Sequence, residues 1–291
     1  MKILALLSVL TLTLAAAPAA LATDGTQYLL GRQTASGGFA ESGSSTPGPT
    51  LTEWAVMGLR AAGVNAGSVH RSGGRTAAAY LAERASGWSD AYELERGILA
   101  VVAMGGNPSS FAGRNLVSAL RGKIGARGAI GPAANSTYWG VLALRAAGSA
   151  IPERTVAYMR NRQHPGGGYG WAVGAAPDSN DTAAAVLALR AAGVACRAGS
   201  IAHAFGYLKT VQSPGHGYAL VPGEAADSQS TSWAIQARHA CGLRNRRARA
   251  WLLARELPDG AWNYQPGTTV TPAFVTAQVL PAVHGRWYPI R

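Results

Sequence analysis

The sequence predicts an all-α fold, an α6/α6 toroid of six helical hairpins with an inner and an outer helix ring. Two observations carry this. A short apolar helix closed by glycine recurs: LTEWAVMGLRAAG at 51–63, LERGILAVVAMG at 94–105, STYWGVLALRAAG at 136–148, PDSNDTAAAVLALRAAG at 177–193, STSWAIQARHACG at 230–242 and PAFVTAQVLPAVHG at 272–285. The closing glycines Gly63, Gly105, Gly148, Gly193, Gly242 and Gly285 stand 42, 43, 45, 49 and 43 residues apart, and copies at a near-constant period mark a stacked repeat architecture. The second observation is a patterned link, QTASGGF at 33–39, QHPGGGY at 163–169, QSPGHGY at 212–218 and ELPDGAW at 256–262. Each runs from Gln or Glu to an aromatic six residues on, with Gly37, Gly167 and Gly260 four after the start and His216 in that place in the third.

Taken in order, the chain opens on a secretory signal peptide. Lys2 is a short basic region, Ile3 to Ala17 is apolar, and Ala20-Leu21-Ala22 is a small-x-small cleavage site. Cleavage after Ala22 places the protein outside the cytoplasm, secreted or held at the envelope. Residues 23–291 are then one toroid domain of six repeats of about 43 residues. First-half helices are expected at Arg75–Ala85, Glu153–Arg162, Ile201–Gln212 and Asn245–Glu256, where apolar residues recur at helical spacing. Ile151-Pro152-Glu153 supplies a helix start, with proline in the first turn. The second halves are richer in alanine and glycine, which permits close helix approach and places them inside. In the links, the polar residue ends the outer helix, glycine turns the backbone, and the aromatic packs over the joint.

The formal net charge is +12 and nearly all of it is arginine. The arginines are scattered at repeat-equivalent positions such as Arg60, Arg145 and Arg190, with one local cluster of Arg244, Arg246, Arg247 and Arg249. That dispersion points to a solvated basic face and away from nucleic acid. Cys196 and Cys241 flank the closing glycines of neighbouring repeats, and in an exported chain this suits a disulfide. Dispersed histidines and the lack of any Asp-x-Cys argue against a zinc site, and no cofactor is expected.

The Gln-x3-Gly-x-Trp style of joint, repeated four times in register, resembles the repeats of squalene–hopene cyclases and other terpenoid cyclases, whose toroid is shared by protein prenyltransferase β-subunits. The resemblance covers residues 28–291 and implies a central cavity. In triterpene cyclases an Asp-x-Asp-Asp-Thr-Ala stretch heads an inner helix and protonates the substrate alkene. The matching stretch is Asp178-Ser179-Asn180-Asp181-Thr182-Ala183, so the donor's place is taken by Asn180, an amide. The chain also lacks the second helical domain of triterpene cyclases. Internal alignment places Asp181 with Ser136 and Ser230, twelve before their glycines, and Asp178 with Asp227. Asp181, Ser136 and Ser230 are therefore expected to cap helices.

Nine before the closing glycine stand Trp54, Trp139 and Trp233, with Arg96, Ala184 and Thr276 in the other repeats. Turned inward, the indoles would line an apolar cavity for an isoprenoid or other flat ligand. Turned outward, they pack between the helix layers. With Asn180, Asp227 and Tyr138 they form the candidate ligand-binding set, and Asp181 with Asp178 the candidate catalytic set. The function expected is a binding or scaffold protein with a central apolar cavity. The alternatives are a terpenoid cyclase using Asp181, a polysaccharide-active toroid drawing on carboxylates such as Glu53, Glu93 and Glu95, and a cobalamin-binding type of toroid.

Overall fold

The structure is a computed structural model that describes residues 24–291; the expected leader and its cleavage point lie outside the described residues. Among these, twelve α-helices form six hairpins: α1 (Asp24–Gly31) with α2 (Pro49–Ala61), α3 (Ala77–Arg84) with α4 (Ala91–Ala103), α5 (Leu116–Arg121) with α6 (Ala134–Ala146), α7 (Glu153–Arg160) with α8 (Ser179–Ala191), α9 (Gly199–Thr210) with α10 (Ser228–His239), and α11 (Arg246–Leu253) with α12 (Pro272–Val283). A two-stranded ribbon, β1 (Tyr218–Ala219) against β2 (Ala226–Asp227), is antiparallel and sits in one joint. Each even-numbered helix packs on the next, and α12 packs back on α2, which closes the inner ring. Burial separates the rings. α8 buries ten of its thirteen residues, whereas α7 buries only Thr155 and Met159. Helices α1 and α5, eight and six residues long, complete the six hairpins and lie outside the four first-half segments singled out in the sequence.

The glycine register has a single physical cause. Gly63, Gly105, Gly148, Gly193, Gly242 and Gly285 all sit at positive φ, from 66° to 92°. In each case the next residue's N–H returns to the carbonyl five residues back, as from Val64 to Leu59, Val194 to Leu189 and Arg286 to Pro281. This is the left-handed helix stop that glycine adopts without steric penalty. Close packing needs a glycine elsewhere too: a Cβ on Gly58 would lie 2.5 Å from the Ala277 carbonyl oxygen, so α2 meets α12 backbone to backbone.

At the joints, Gly37, Gly167 and Gly260 have φ of 93°, 87° and 86°, and His216 takes the same left-handed conformation at 75°. The glutamines do more than end a helix. Gln33 donates to the Gly37 carbonyl and across to Val69; Gln163 donates to Gly167 and across to Ser200. Phe39, Tyr169, Tyr218 and Trp262 are all buried. A further joint without the aromatic pattern pairs Ile124 with Ile130 around Gly128, whose φ is 89°.

A threonine fixes five of the six joints to their inner helices; in α4 Leu94 stands in its place. Thr52, Thr137, Thr182, Thr231 and Thr276 accept the N–H of Phe39, Ile130, Tyr169, Tyr218 and Trp262 at 2.9–3.0 Å. This corrects the register of the last repeat. Thr276 is the counterpart of Thr52 and not of Trp54, because α12 runs two residues fewer from its threonine to its glycine. The residue equivalent to Trp54 is Gln278.

The ring is also stitched at the inner-helix N-termini. Asn135, Ser179 and Ser228 donate backbone N–H bonds to Trp171, Leu220 and Tyr264 of the following repeat. Cys196 and Cys241, after α8 and after α10, are bonded to each other with Cα atoms 5.7 Å apart.

Candidate functional site

Two turns of the inner helices face the bore. Residues two after the threonine or its counterpart are Trp54, Arg96, Trp139, Ala184, Trp233 and Gln278, and one turn earlier stand Thr50, Tyr92, Asn135, Asn180, Gln229 and Phe274. Positions four apart share a helix face, so the second set forms the mouth above the first. Thr50 is exposed and the other five are partly exposed, as a rim should be.

The three indoles turn inward, but they do not line a cavity at their level. Trp54, Trp139 and Trp233 meet one another with ring centroids 5.3–5.9 Å apart, in edge-to-face contact. Tyr288, from the segment after α12, adds its ring at 5.4–5.9 Å from all three and is 1% exposed. Aromatic pairs favour this separation and geometry. The expected central apolar cavity is therefore corrected: the bore at the indole level is a packed aromatic plug. Trp139 and Phe274 remain partly exposed on the mouth side. Tyr138, expected at the ligand, is instead fully buried against the joint residue Tyr169.

Polar side chains ring the bore beside the plug. Glu53 pairs with Arg96 at 2.9 Å, and Glu95 accepts from the Ser136 hydroxyl at 2.7 Å. Trp233 and Gln229 both donate to the Gln278 side-chain oxygen, at 3.0 and 3.1 Å. Asn135 Nδ2 donates to Asp181. Burial pushes Glu53 up to about 7, against the pull of Arg96, and pushes Glu95 well above the carboxylate range.

The capping expectation is corrected here. Asp178, not Asp181, caps α8, with its carboxylate accepting the Asp181 N–H at 2.8 Å. Asp227 caps α10 in the same way and also takes the Ser230 hydroxyl, both at 2.7 Å. Ser136 spends its hydroxyl on Glu95. The reason is helix phase: each helix begins three residues before the aligned column, where Asp178 and Asp227 have extended backbone. Asp227 is almost fully buried and offers nothing to a ligand.

Asp181 is thus free of capping and lies between Asp178 and Asn135. Burial, then the Asp178 charge and a hydrogen bond to Asp178, raise it to about 8; Asp178 is raised by burial as well. Within the pair Asp181 is the carboxyl biased towards its protonated form, because burial and the Asp178 charge both act on it. Among the described residues no group of three His, Cys, Asp or Glu side chains is placed to hold a metal ion.

Sequence reasoning missed three of these residues. Asn135 could have been found, since it stands two before its threonine as Asn180 does. Gln278 was hidden by aligning on the glycine. Tyr288 follows the last repeat and carries no periodic signal.

Comparisons show a shared fold. No family model and no curated protein matches the sequence. Among solved structures, the type II terpene cyclase MstE from Scytonema superposes with a TM-score of 0.65 at 17% identity, over 90% of this chain and 96% of that one. Protein geranylgeranyltransferase-I from Candida albicans, complexed with GGPP, gives 0.59 at 8% identity over 81% and 83%. The ent-copalyl diphosphate synthase of Streptomyces platensis gives 0.55 at 14% over 81% of this chain and half of that one. The α/α toroid of terpenoid cyclases and prenyltransferases is the architecture of this chain.

Proposed function

We propose that this is an exported binding protein built on a cyclase-type toroid, taking an apolar small molecule at the barrel mouth. The observation that carries the reading is the plug of Trp54, Trp139, Trp233 and Tyr288. A long polyene folded for cyclisation needs the bore that these rings occupy. What remains for a ligand is an aromatic floor at Trp139, under a rim of Phe274 and the amides of Asn135, Asn180 and Gln229. Apolar contact with a few placed polar groups is the usual make-up of a small-molecule site. An isoprenoid alcohol fits that chemistry, and one structural neighbour was solved with geranylgeranyl dihydroxybenzoate bound.

A cyclase reading is favoured by one feature, a buried Asp181 raised to about 8 beside Asp178. Its direction of shift weighs the other way. Protonating an alkene demands a strong acid, and a carboxyl raised to about 8 is a weak one. Such a group donates a hydrogen bond well and gives up its proton poorly.

Tryptophan fluorescence during titration with farnesol tests the proposal. Saturable quenching is expected, weakened at least fivefold by Trp139→Ala and by Asn135→Leu. No saturable change would refute ligand binding at the mouth. In parallel, incubation with geranylgeraniol and squalene, analysed by gas chromatography and mass spectrometry, is expected to return them unchanged. A cyclic product that disappears in Asp181→Asn would establish the cyclase reading instead.

A further inference from the structure

The opposite end of the toroid carries a site of different character. A cleft of about 960 Å³ opens where α10 ends, α11 begins and α12 stops. Four arginines line it: Arg244 just before α11, Arg246 and Arg249 from its first turns, and Arg286 from the segment after α12. No Asp or Glu does. Among the described residues none of the four is in an ion pair, since the three pairs involve Arg75, Arg84 and Arg96.

Four guanidinium groups at one cleft without a counter-charge repel one another, and that cost is relieved by an anion. Arg249 is already fixed, donating twice to the Val283 carbonyl at 3.3 and 2.8 Å, so at least one of the four is preorganised. Two residues of the wall also hold unpartnered polar atoms, His239 Nδ1 and His284 Nε2, buried with no hydrogen-bond partner. Buried polar atoms left alone are uncommon and call for a partner. Burial, and then the neighbouring arginines, hold both imidazoles below their ordinary value. Both imidazoles are thereby biased towards the neutral form and add no charge of their own to the cleft.

Beside the arginines stands Trp287, 43% exposed and lining the same cleft. An exposed indole at the edge of a cationic cleft provides a flat face for a ring. The volume suits a molecule of one or two rings.

We propose that this cleft binds a phosphorylated ring compound of the sugar phosphate type, its phosphate held by Arg244, Arg246 and Arg286 and its ring laid on Trp287. Arginine matches the phosphate geometry with paired donors. The site is separate from the mouth, because Trp287 and the ends of α10 and α12 lie at the closing-glycine side of the toroid and Asn135 and Asn180 at the other.

Isothermal titration of the protein at low salt with glucose 6-phosphate, inorganic phosphate and glucose tests this. One equivalent of glucose 6-phosphate is expected to bind, at least tenfold tighter than glucose. The double variant Arg246→Gln with Arg286→Gln is expected to lose at least tenfold, and Arg75→Gln, on a distant surface, to lose nothing. Trp287→Ala is expected to weaken glucose 6-phosphate severalfold and leave inorganic phosphate unchanged. Sedimentation with vesicles containing phosphatidylinositol phosphate distinguishes a lipid headgroup from a free sugar phosphate; binding with the same arginine dependence supports the site in either form. Melting curves confirm that each variant is folded. The proposal is overturned by the absence of binding to both phosphorylated probes, by glucose binding as well as its phosphate, or by equal losses in the Arg75 variant and the double variant.

Discussion

Glu41 accepts the backbone N–H of Phe274 at 2.8 Å and that of Ala273 at 3.0 Å. The first repeat thereby caps the last inner helix, which has no side-chain cap of its own. Three other inner helices lean on the following repeat through a backbone carbonyl, so Glu41 is where the stitching becomes circular. Glu41→Ala should cost about 1–2 kcal/mol, as for loss of a capping carboxylate. Urea denaturation checks the magnitude. Hydrogen exchange should show α2 and α12 losing protection first; uniform loss around the ring would show that closure is not local.

The two glycine registers make different demands, and alanine separates them. At Gly193 an added Cβ meets nothing within 4 Å, so Gly193→Ala pays only for the left-handed backbone, about 1 kcal/mol. At Gly167 the Cβ would lie 2.2 Å from the His203 carbonyl oxygen. Gly167→Ala should therefore cost about 3 kcal/mol, strain and overpacking together. The reverse change holds at the exception: His216→Gly should stabilise by about 1 kcal/mol. Equal losses at 193 and 167 would show that the joint can shift to make room.

The buried carboxyls should contribute stability that falls as the pH rises from about 4 to about 8, against a smaller opposing contribution from His239 and His284, whose imidazoles are held below their ordinary value. Asp181 in the fold is raised to about 8, above its unfolded value near 3.9. A raised folded value means that the native state holds the proton more tightly. Its stabilisation is complete below the unfolded value and is lost as pH climbs through the folded one. Glu53, raised to about 7, and Asp227, raised to about 6, act in the same direction. Asp181→Asn keeps the shape and removes the titration, so its melting temperature should depend less on pH and exceed that of the parent at pH 8. An unchanged pH profile in this variant would place the proton elsewhere.

The repeat made most of the architecture readable before any coordinates. Six glycines at a near-constant spacing specify six helix stops of one kind, and the joint residues specify how four of the hairpins turn. Those are local backbone demands, which sequence records directly. The interior was harder to read because its occupants come from different repeats. Trp54, Trp139 and Trp233 could be placed on one level by counting, but whether they enclose space or fill it depends on distances across the ring. Tyr288 settles that from outside the period. Helix phase was the other blind spot: aligning on the stop put Asp181 in a capping column, while the start, fixed by extended backbone at Asp178, lay three residues earlier.

The plug itself can be opened. Tyr288 is buried among three indoles and its hydroxyl has no hydrogen-bond partner. Two substitutions pull in opposite directions. Tyr288→Phe keeps the ring and removes the orphaned hydroxyl, so stability should rise by about 1 kcal/mol. Tyr288→Ala removes the ring and should cost about 3–5 kcal/mol, the range for a large buried aromatic. It also leaves a void walled by Trp54, Trp139 and Trp233. Apolar voids of this kind stay dry and take up small apolar molecules. Benzene should therefore raise the melting temperature of Tyr288→Ala and leave that of the parent unchanged. If the indoles collapse into the space, benzene will have no effect, and the stability loss will sit at the low end of that range because the cavity has been repacked.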